Sequence, residues 1–251
     1  MSILKNLLSG ATFQHYFTSC VILAAGVGSR FGNENGTKQN VSVCGIPAVV
    51  RCALAFQNSE RIDEIVLVGR KEELDIFEGY VREYSLTKVK AVVEGGATRD
   101  ESSYKGFQAT DKKAKFVAIH DGARCLVTPR IIDDTVNAAY RYGAAAAAEK
   151  VVDTVKRCNT RDFIESTVDR DGLWLIKTPQ IFKRSAYLVS AAKAKKDGIK
   201  VTDDCMMAEH AGFAVKLVDC GRENIKLTTR DDLTLAEIII KKREQERSME
   251  V

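Results

Sequence analysis

Short apolar runs at residues 21–24, 65–68, 89–93, 116–119, 144–148 and 215–218 alternate with segments of helical periodicity, and this alternation constrains the fold more than any other feature. Strands separated by helices can pair in parallel, because each helix carries the chain back across the sheet. The runs are nearly continuous rather than alternating in and out, as expected of strands buried on both faces. The pattern therefore predicts an α/β architecture with a mostly parallel sheet covered by helices. Helices are predicted at about 47–58, 71–84, 99–110 and 129–142, and a last one begins near Arg230. Thr128-Pro129 is a good start signal, a capping hydroxyl followed by a ring preset for the first helical position.

One segment breaks the alternation. Residues 151–174 carry β-type side chains around a polar tip, Asn159-Thr160-Arg161-Asp162, and read as an extended antiparallel arm. Such an arm has too little core to stand alone and should pack on something, a second subunit being one option. Trp174 is expected at the junction of arm and sheet. Residues 1–19, where Ile3, Leu7, Leu8 and Phe13 could share one helix face, read as an N-terminal extension, and 20–251 as a single domain. No apolar run reaches the roughly 18 residues of a membrane span, and polar Ser9, Gln14, His15 and Thr18 interrupt any signal-like block. Seven scattered cysteines without a Cys-x-x-Cys pair favour reduced thiols in a soluble cytoplasmic protein. A net charge of +4, with basic residues interspersed among acids, does not suggest nucleic acid and suits a phosphorylated small molecule better.

The first predicted strand runs into Ala24-Ala25-Gly26-Val27-Gly28-Ser29-Arg30-Phe31-Gly32, followed by Lys38-Gln39. Small residues allow backbone N–H groups to approach phosphate oxygens. A dinucleotide fingerprint would need its third glycine one position earlier, and a ribose-binding acid about 20 residues on, so an oxidoreductase is disfavoured. Arg30 in the loop and Lys38 after it suit the greater charge of a triphosphate. As solvated surface cations they would carry no such meaning.

Further ordered motifs are Gly95-Gly96-Ala97-Thr98-Arg99-Asp100-Glu101-Ser102, His120-Asp121-Gly122-Ala123-Arg124, Val152-Asp153-Thr154-Val155-Lys156-Arg157, Thr167-Val168-Asp169-Arg170-Asp171-Gly172-Leu173-Trp174, Thr178-Pro179-Gln180, Thr202-Asp203-Asp204 and Asn224-Ile225-Lys226. Through them the chain resembles the 2-C-methyl-D-erythritol 4-phosphate cytidylyltransferases of the non-mevalonate isoprenoid route over about residues 20–237. The resemblance implies a Rossmann-like three-layer nucleotidyltransferase fold with a protruding β-arm. It further implies that Ala24, Ala25, Gly26, Gly28, Gly96, Ala97, Ser102 and Asp121 hold the nucleotide, and that Arg30 and Lys38 contact the triphosphate. Arg99 would brace the glycine turn, or act as an ordinary helix-start cation. The acceptor would lie near Asp121, Arg124, Thr154, Arg170, Thr178, Thr202 and Lys226, with Arg170 and Lys226 positioning its phosphate for attack. In the family the arm crosses a homodimer interface, so Thr154 would serve the neighbouring subunit.

A phosphate monoester is largely dianionic at neutral pH, its second pKa being about 6, and so attacks the α-phosphorus of CTP without a general base. Magnesium is expected, bound mainly through the CTP phosphates, with Asp121 the best acid to approach it. Asp121 could instead simply cap the turn after its strand. His120 is expected to be structural, His15 and His210 ordinary, and Asp203-Asp204 a helix cap rather than a metal pair. Three positions depart from the family pattern: Cys125 where proline is common, Asn40 where a large apolar residue is usual, and the extension before Cys20. A ribitol 5-phosphate cytidylyltransferase is the nearest alternative, less similar around 167–174. A catalytically silent nucleotide-binding module should have lost the cations retained at Arg30, Lys38, Arg170 and Lys226.

Overall fold

The computed structural model describes residues 14–26 and 39–249. The expected helix face at Ile3, Leu7, Leu8 and Phe13 lies outside these residues, as do Gly28, Arg30 and Lys38.

The six apolar runs form six strands of one seven-stranded sheet: β1 (Thr18–Leu23), β4 (Glu64–Gly69), β5 (Val89–Glu94), β6 (Phe116–Asp121), β7 (Ala144–Lys150) and β11 (Lys216–Asp219). A two-residue hairpin, β2 (Ser42–Val43) and β3 (Ile46–Pro47), precedes the first helix. The seventh strand of the sheet is β10 (Trp174–Lys183), and the order is β11-β7-β10-β6-β1-β4-β5. β1 pairs in parallel with β4 and β6, β4 with β5, and β7 with β11.

β10 runs antiparallel to both its neighbours and has no counterpart among the predicted strands. Pro179 obscured it, since a residue without an N–H is out of place in a central strand. The sheet accommodates it at an irregularity, the register with β7 shifting between Ile176 and Gln180.

The helices are α1 (Ala48–Gln57), α2 (Leu74–Glu83), α3 (Arg99–Gln108), α4 (Pro129–Tyr142), α5 (Arg184–Lys196), α6 (Asp204–His210) and α7 (Arg230–Met249). The Thr128 side chain accepts from the N–H of Ile131 at the start of α4, and Gly143 closes that helix at φ 88°. α5 also escapes the sequence pattern, because only Tyr187, Ser190 and Ala194 of its alanine- and lysine-rich stretch are buried.

Alternate residues of β1 enter two separate cores. Cys20 and Ile22 pack with Phe56 of α1, Phe77 of α2, Ile132 of α4 and Ile239 of α7. Val21 and Leu23 pack with Phe107 of α3, Tyr187 of α5 and Met207 of α6. The result is three layers, helices on both faces of a mostly parallel sheet. α3 lies especially close: a Cβ at Gly106 would stand 2.3 Å from Val21 Cγ1. β1 begins at Thr18, two residues before the expected domain start, and Tyr16 ahead of it packs on Phe116 and Tyr140.

Outside the sheet, β8 (Val155–Cys158) and β9 (Ile164–Val168) pair as a separate antiparallel hairpin within the expected arm. No helix among the described residues is long and apolar enough to cross a membrane.

Candidate active site

The carboxyl ends of β1, β5 and β6 converge, which is where open parallel sheets place ligands. Backbone bonds fix the convergence: Ala24 N–H donates to Val68 O at 2.7 Å, Gly95 N–H to Gly69 O at 2.9 Å and Gly122 N–H to Leu23 O at 2.8 Å. A cavity of about 260 Å³ opens there. Ala25, Gly26, Gly96, Ala97, Ser102, Asp121 and Lys226 all line it, far apart in sequence and brought together by the fold. Ala24 is wholly buried behind it.

Asp121, at the last position of β6, is the electrostatic centre. Its carboxylate meets Arg99 Nε at 3.2 Å, Lys226 Nζ at 2.8 Å and Arg124 Nε at 3.9 Å. Burial pushes this carboxyl up, but Arg99, Lys226 and Arg124 outweigh it and hold the group well below the usual carboxylate range. Arg99 also donates to Asp204 at 2.7 Å, joining α3 to β6 and α6 as a brace. Burial disfavours the Arg99 charge, yet Asp204 and Asp121 raise its pKa overall. Three cations against two carboxylates leave one net positive charge at the cavity floor, suited to a phosphorylated ligand.

His120 is fully buried with its ring 4.9 Å from that of Phe56, and burial pushes its pKa down to about 3. The Thr178 hydroxyl accepts from the N–H of Asp121 at 3.0 Å and donates to His120 Nδ1, 3.1 Å away, because the other ring nitrogen faces the Arg124 carbonyl, which can only accept. That leaves the ring proton on Nε2, which donates to Arg124 O at 3.3 Å. Thr178, expected near the acceptor, is 3% exposed and does not line the cavity, its hydroxyl engaged by the end of β6.

Thr154, Arg170 and Thr202 are exposed and do not line the cavity. Thr154 lies between β7 and β8, and Arg170, between β9 and β10, donates to Val152 O across the root of the arm. Thr202 precedes α6, its hydroxyl 3.5 Å from Met206 Sδ. Asp203 caps that helix as expected, accepting from Met206 N–H at 2.9 Å. Among the described residues no group of three or more His, Cys, Asp or Glu could hold a metal. Among the described residues Asp121 is the carboxylate that lines the cavity, and a magnesium carried on phosphate oxygens would need few protein ligands.

Sequence reasoning missed Gln39. It lines the cavity at 2% exposure, donates to Gly26 O at 3.0 Å, and has no partner for Oε1 among the described residues. Its signal was its place beside Lys38, where charge drew the attention. Asn224 was likewise overshadowed by Lys226. Wholly buried, it donates to Thr178 O at 2.9 Å and accepts through its backbone carbonyl from Arg124 at 3.0 Å. Of the departures, Cys125 is buried in the core and Asn40 donates to Glu73 at 2.8 Å.

Comparison with known proteins accords with this geometry. Residues 18–242 match the family described as 2-C-methyl-D-erythritol 4-phosphate cytidylyltransferase. A protein of that name from Caldanaerobacter subterraneus subsp. tengcongensis is 40% identical over 225 residues, 89% of this chain and 99% of the relative. One from Clostridium acetobutylicum is 40% identical over 223 residues, 88% of this chain and 96% of the relative. The crystal structure of 4-diphosphocytidyl-2C-methyl-D-erythritol synthase from Anaerococcus prevotii superposes with a TM-score of 0.79 at 30% identity, covering 90% of this chain and 99% of that one. The match begins at β1 and extends into α7, taking in the whole sheet, the arm and every residue around the cavity, and on that ground the chain belongs to the 2-C-methyl-D-erythritol 4-phosphate cytidylyltransferase family.

Proposed function

We propose that this protein transfers the cytidylyl group of CTP to 2-C-methyl-D-erythritol 4-phosphate, giving 4-diphosphocytidyl-2-C-methyl-D-erythritol and pyrophosphate in non-mevalonate isoprenoid biosynthesis. The observation that carries the reading is the cavity itself. In a member of this family, a small-residue turn faces a carboxylate surrounded by Arg99, Arg124 and Lys226.

The acceptor phosphate, already dianionic, attacks the α-phosphorus, and pyrophosphate leaves in line. The described site supplies no evident general base, and none is needed. His120 is buried with both ring nitrogens engaged, and Asp121 is held ionised by its cations. Catalysis then rests on positioning and on stabilising developing charge. Ala25, Gly26, Gly96, Ala97 and Ser102 hold the nucleoside, Arg30 and Lys38 the triphosphate, and Lys226 with Arg170 the acceptor phosphate. Asp121 is the residue that would hold magnesium, which would withdraw charge from the phosphate oxygens.

Thr154 and Arg170 sit on or beside an exposed arm rather than at this chain's own cavity, which fits a homodimer in which each arm completes the partner's site. All seven cysteines are free, in keeping with a cytoplasmic protein. Pyrophosphate release from CTP, magnesium and 2-C-methyl-D-erythritol 4-phosphate tests the reading. Arg30→Ala and Lys226→Ala should each lower kcat/KM by about a hundredfold. Variants as active as the parent would remove these residues from the mechanism.

A further inference from the structure

Asp204, the first residue of α6, is 1% exposed and does not line the cavity, yet side chains from two other helices converge on its carboxylate. Arg99 Nη1 of α3 donates to Oδ2 at 2.7 Å, and the Ser103 hydroxyl, one turn further along α3, donates to Oδ1 at 2.7 Å. The Tyr187 hydroxyl of α5 stands 2.7 Å from Ser103 Oγ and 3.3 Å from Asp204 Oδ1. Since the one Ser103 proton goes to Asp204, Tyr187 gives its own to Ser103 across the shorter gap. Gln180 of β10 fixes the start of α6 separately, donating to Asp203 Oδ2 at 2.8 Å and accepting from the Cys205 N–H at 3.1 Å. Asp204 is therefore held in place from the side of the molecule away from the cavity.

Arg99 carries that placement into the cavity, which it lines. With Nε on Asp121 at 3.2 Å and Nη1 on Asp204 at 2.7 Å, its guanidinium is fixed at two points in its plane. The Asp204 contact is the shorter, and its carboxylate the more buried of the two, so it decides where the guanidinium sits. Asp121 already meets Lys226 at 2.8 Å and Arg124 at 3.9 Å. Without Asp204, Arg99 would be drawn fully onto Asp121, and three cations would compete for one carboxylate.

We propose that Asp204 is a positioning residue for the transfer reaction, anchoring the far end of Arg99 so that Asp121 keeps its bond to Lys226. It acts only through Arg99. Ser103 and Tyr187 support Asp204 from within the core, both buried and neither lining the cavity, so the outer link of this network serves stability. The inference rests on the proposed cytidylyl transfer.

Steady-state kinetics with CTP, magnesium and 2-C-methyl-D-erythritol 4-phosphate, paired with urea unfolding, test it on the parent protein, Asp204→Asn, Arg99→Lys, Arg99→Met, Tyr187→Phe and the double variant Asp204→Asn with Arg99→Met. Asp204→Asn keeps the volume and an acceptor for Ser103 but loses the charge that holds Arg99, and should lower kcat/KM by about tenfold. Arg99→Lys should lose as much, because one ammonium does not span both carboxylates; it leaves the buried network whole and decides the matter if Asp204→Asn does not fold. In the Arg99→Met background, Asp204→Asn should lower kcat/KM no further, a non-additivity that a purely structural role would not produce. Tyr187→Phe should lower the urea midpoint and leave kcat/KM near the parent value. Full activity in Asp204→Asn or Arg99→Lys, losses that multiply in the double variant, or a Tyr187→Phe loss equal to that of Asp204→Asn overturns the proposal while cytidylyl transfer stands. A parent protein that releases no pyrophosphate overturns the transfer reading and this inference with it.

Discussion

His120 and Asp121 are neighbours in sequence, yet their environments push them to opposite charge states. Asp121 sits among Arg99, Lys226 and Arg124 and stays ionised, whereas His120 is sealed under Phe56 and stays neutral. The histidine makes a pH prediction with a definite sign. Its ordinary pKa of 6.5 falls to about 3 in the folded protein, so below pH 6.5 the unfolded chain takes up a proton that the folded chain refuses. Stability from this group is complete above pH 6.5 and declines as pH falls toward about 3. Between pH 6.5 and about 5 the loss is about 2 kcal/mol. Asp121, whose pKa is lowered, adds a loss only below its ordinary 3.8. Urea unfolding at about pH 7.5 and about pH 5 checks this, and His120→Gln should flatten the difference; equal slopes for the two proteins would show that His120 is not the source. At this scale the sequence revealed Asp121 and Lys226, because charged residues in ordered motifs announce themselves. It concealed the bonding of Thr178, whose hydroxyl is oriented only when β10 lies against β6, and of Gln39, whose amide is oriented by the Gly26 carbonyl.

Elements with uniform surroundings were legible, and elements with mixed ones were not. Buried parallel strands such as β1 and β4 declare themselves through unbroken apolar runs. β10 passes from the exposed arm into the centre of the sheet and carries a proline, so no single periodicity describes it. The arm was visible because its polar tip and β-type flanks form a local pattern, and its exposure has a consequence. Phe163 and Ile164 are 65% and 68% exposed, and a two-stranded hairpin of this size is marginal in water by itself. In the proposed homodimer the partner covers them. Phe163→Ser with Ile164→Lys should therefore shift sedimentation from dimer to monomer and reduce activity, the sheet's far-UV signature persisting. A variant that remains dimeric and fully active would place the interface elsewhere.

For the whole molecule, a three-layer fold brings turns from β1, β5 and β6 together at the carboxyl end of the sheet and leaves net positive charge beside a main-chain pocket, while Thr154 and Arg170, expected at the acceptor site, lie on or beside the arm. Alternation of strands and helices made the layers legible. The convergence at the strands' carboxyl ends was legible only through resemblance, since spacing along the chain does not say which loops meet. In the proposed reaction this assembly joins two phosphorus centres, one from the nucleotide and one from the sugar alcohol. Phosphorus NMR of a reaction containing CTP, magnesium and equal amounts of 2-C-methyl-D-erythritol 4-phosphate and ribitol 5-phosphate tests it directly. A pair of coupled diphosphate diester resonances should arise from consumption of the methylerythritol phosphate, with equimolar pyrophosphate; consumption of ribitol 5-phosphate in its place, or CTP left intact beside both acceptors, would contradict the proposed reaction.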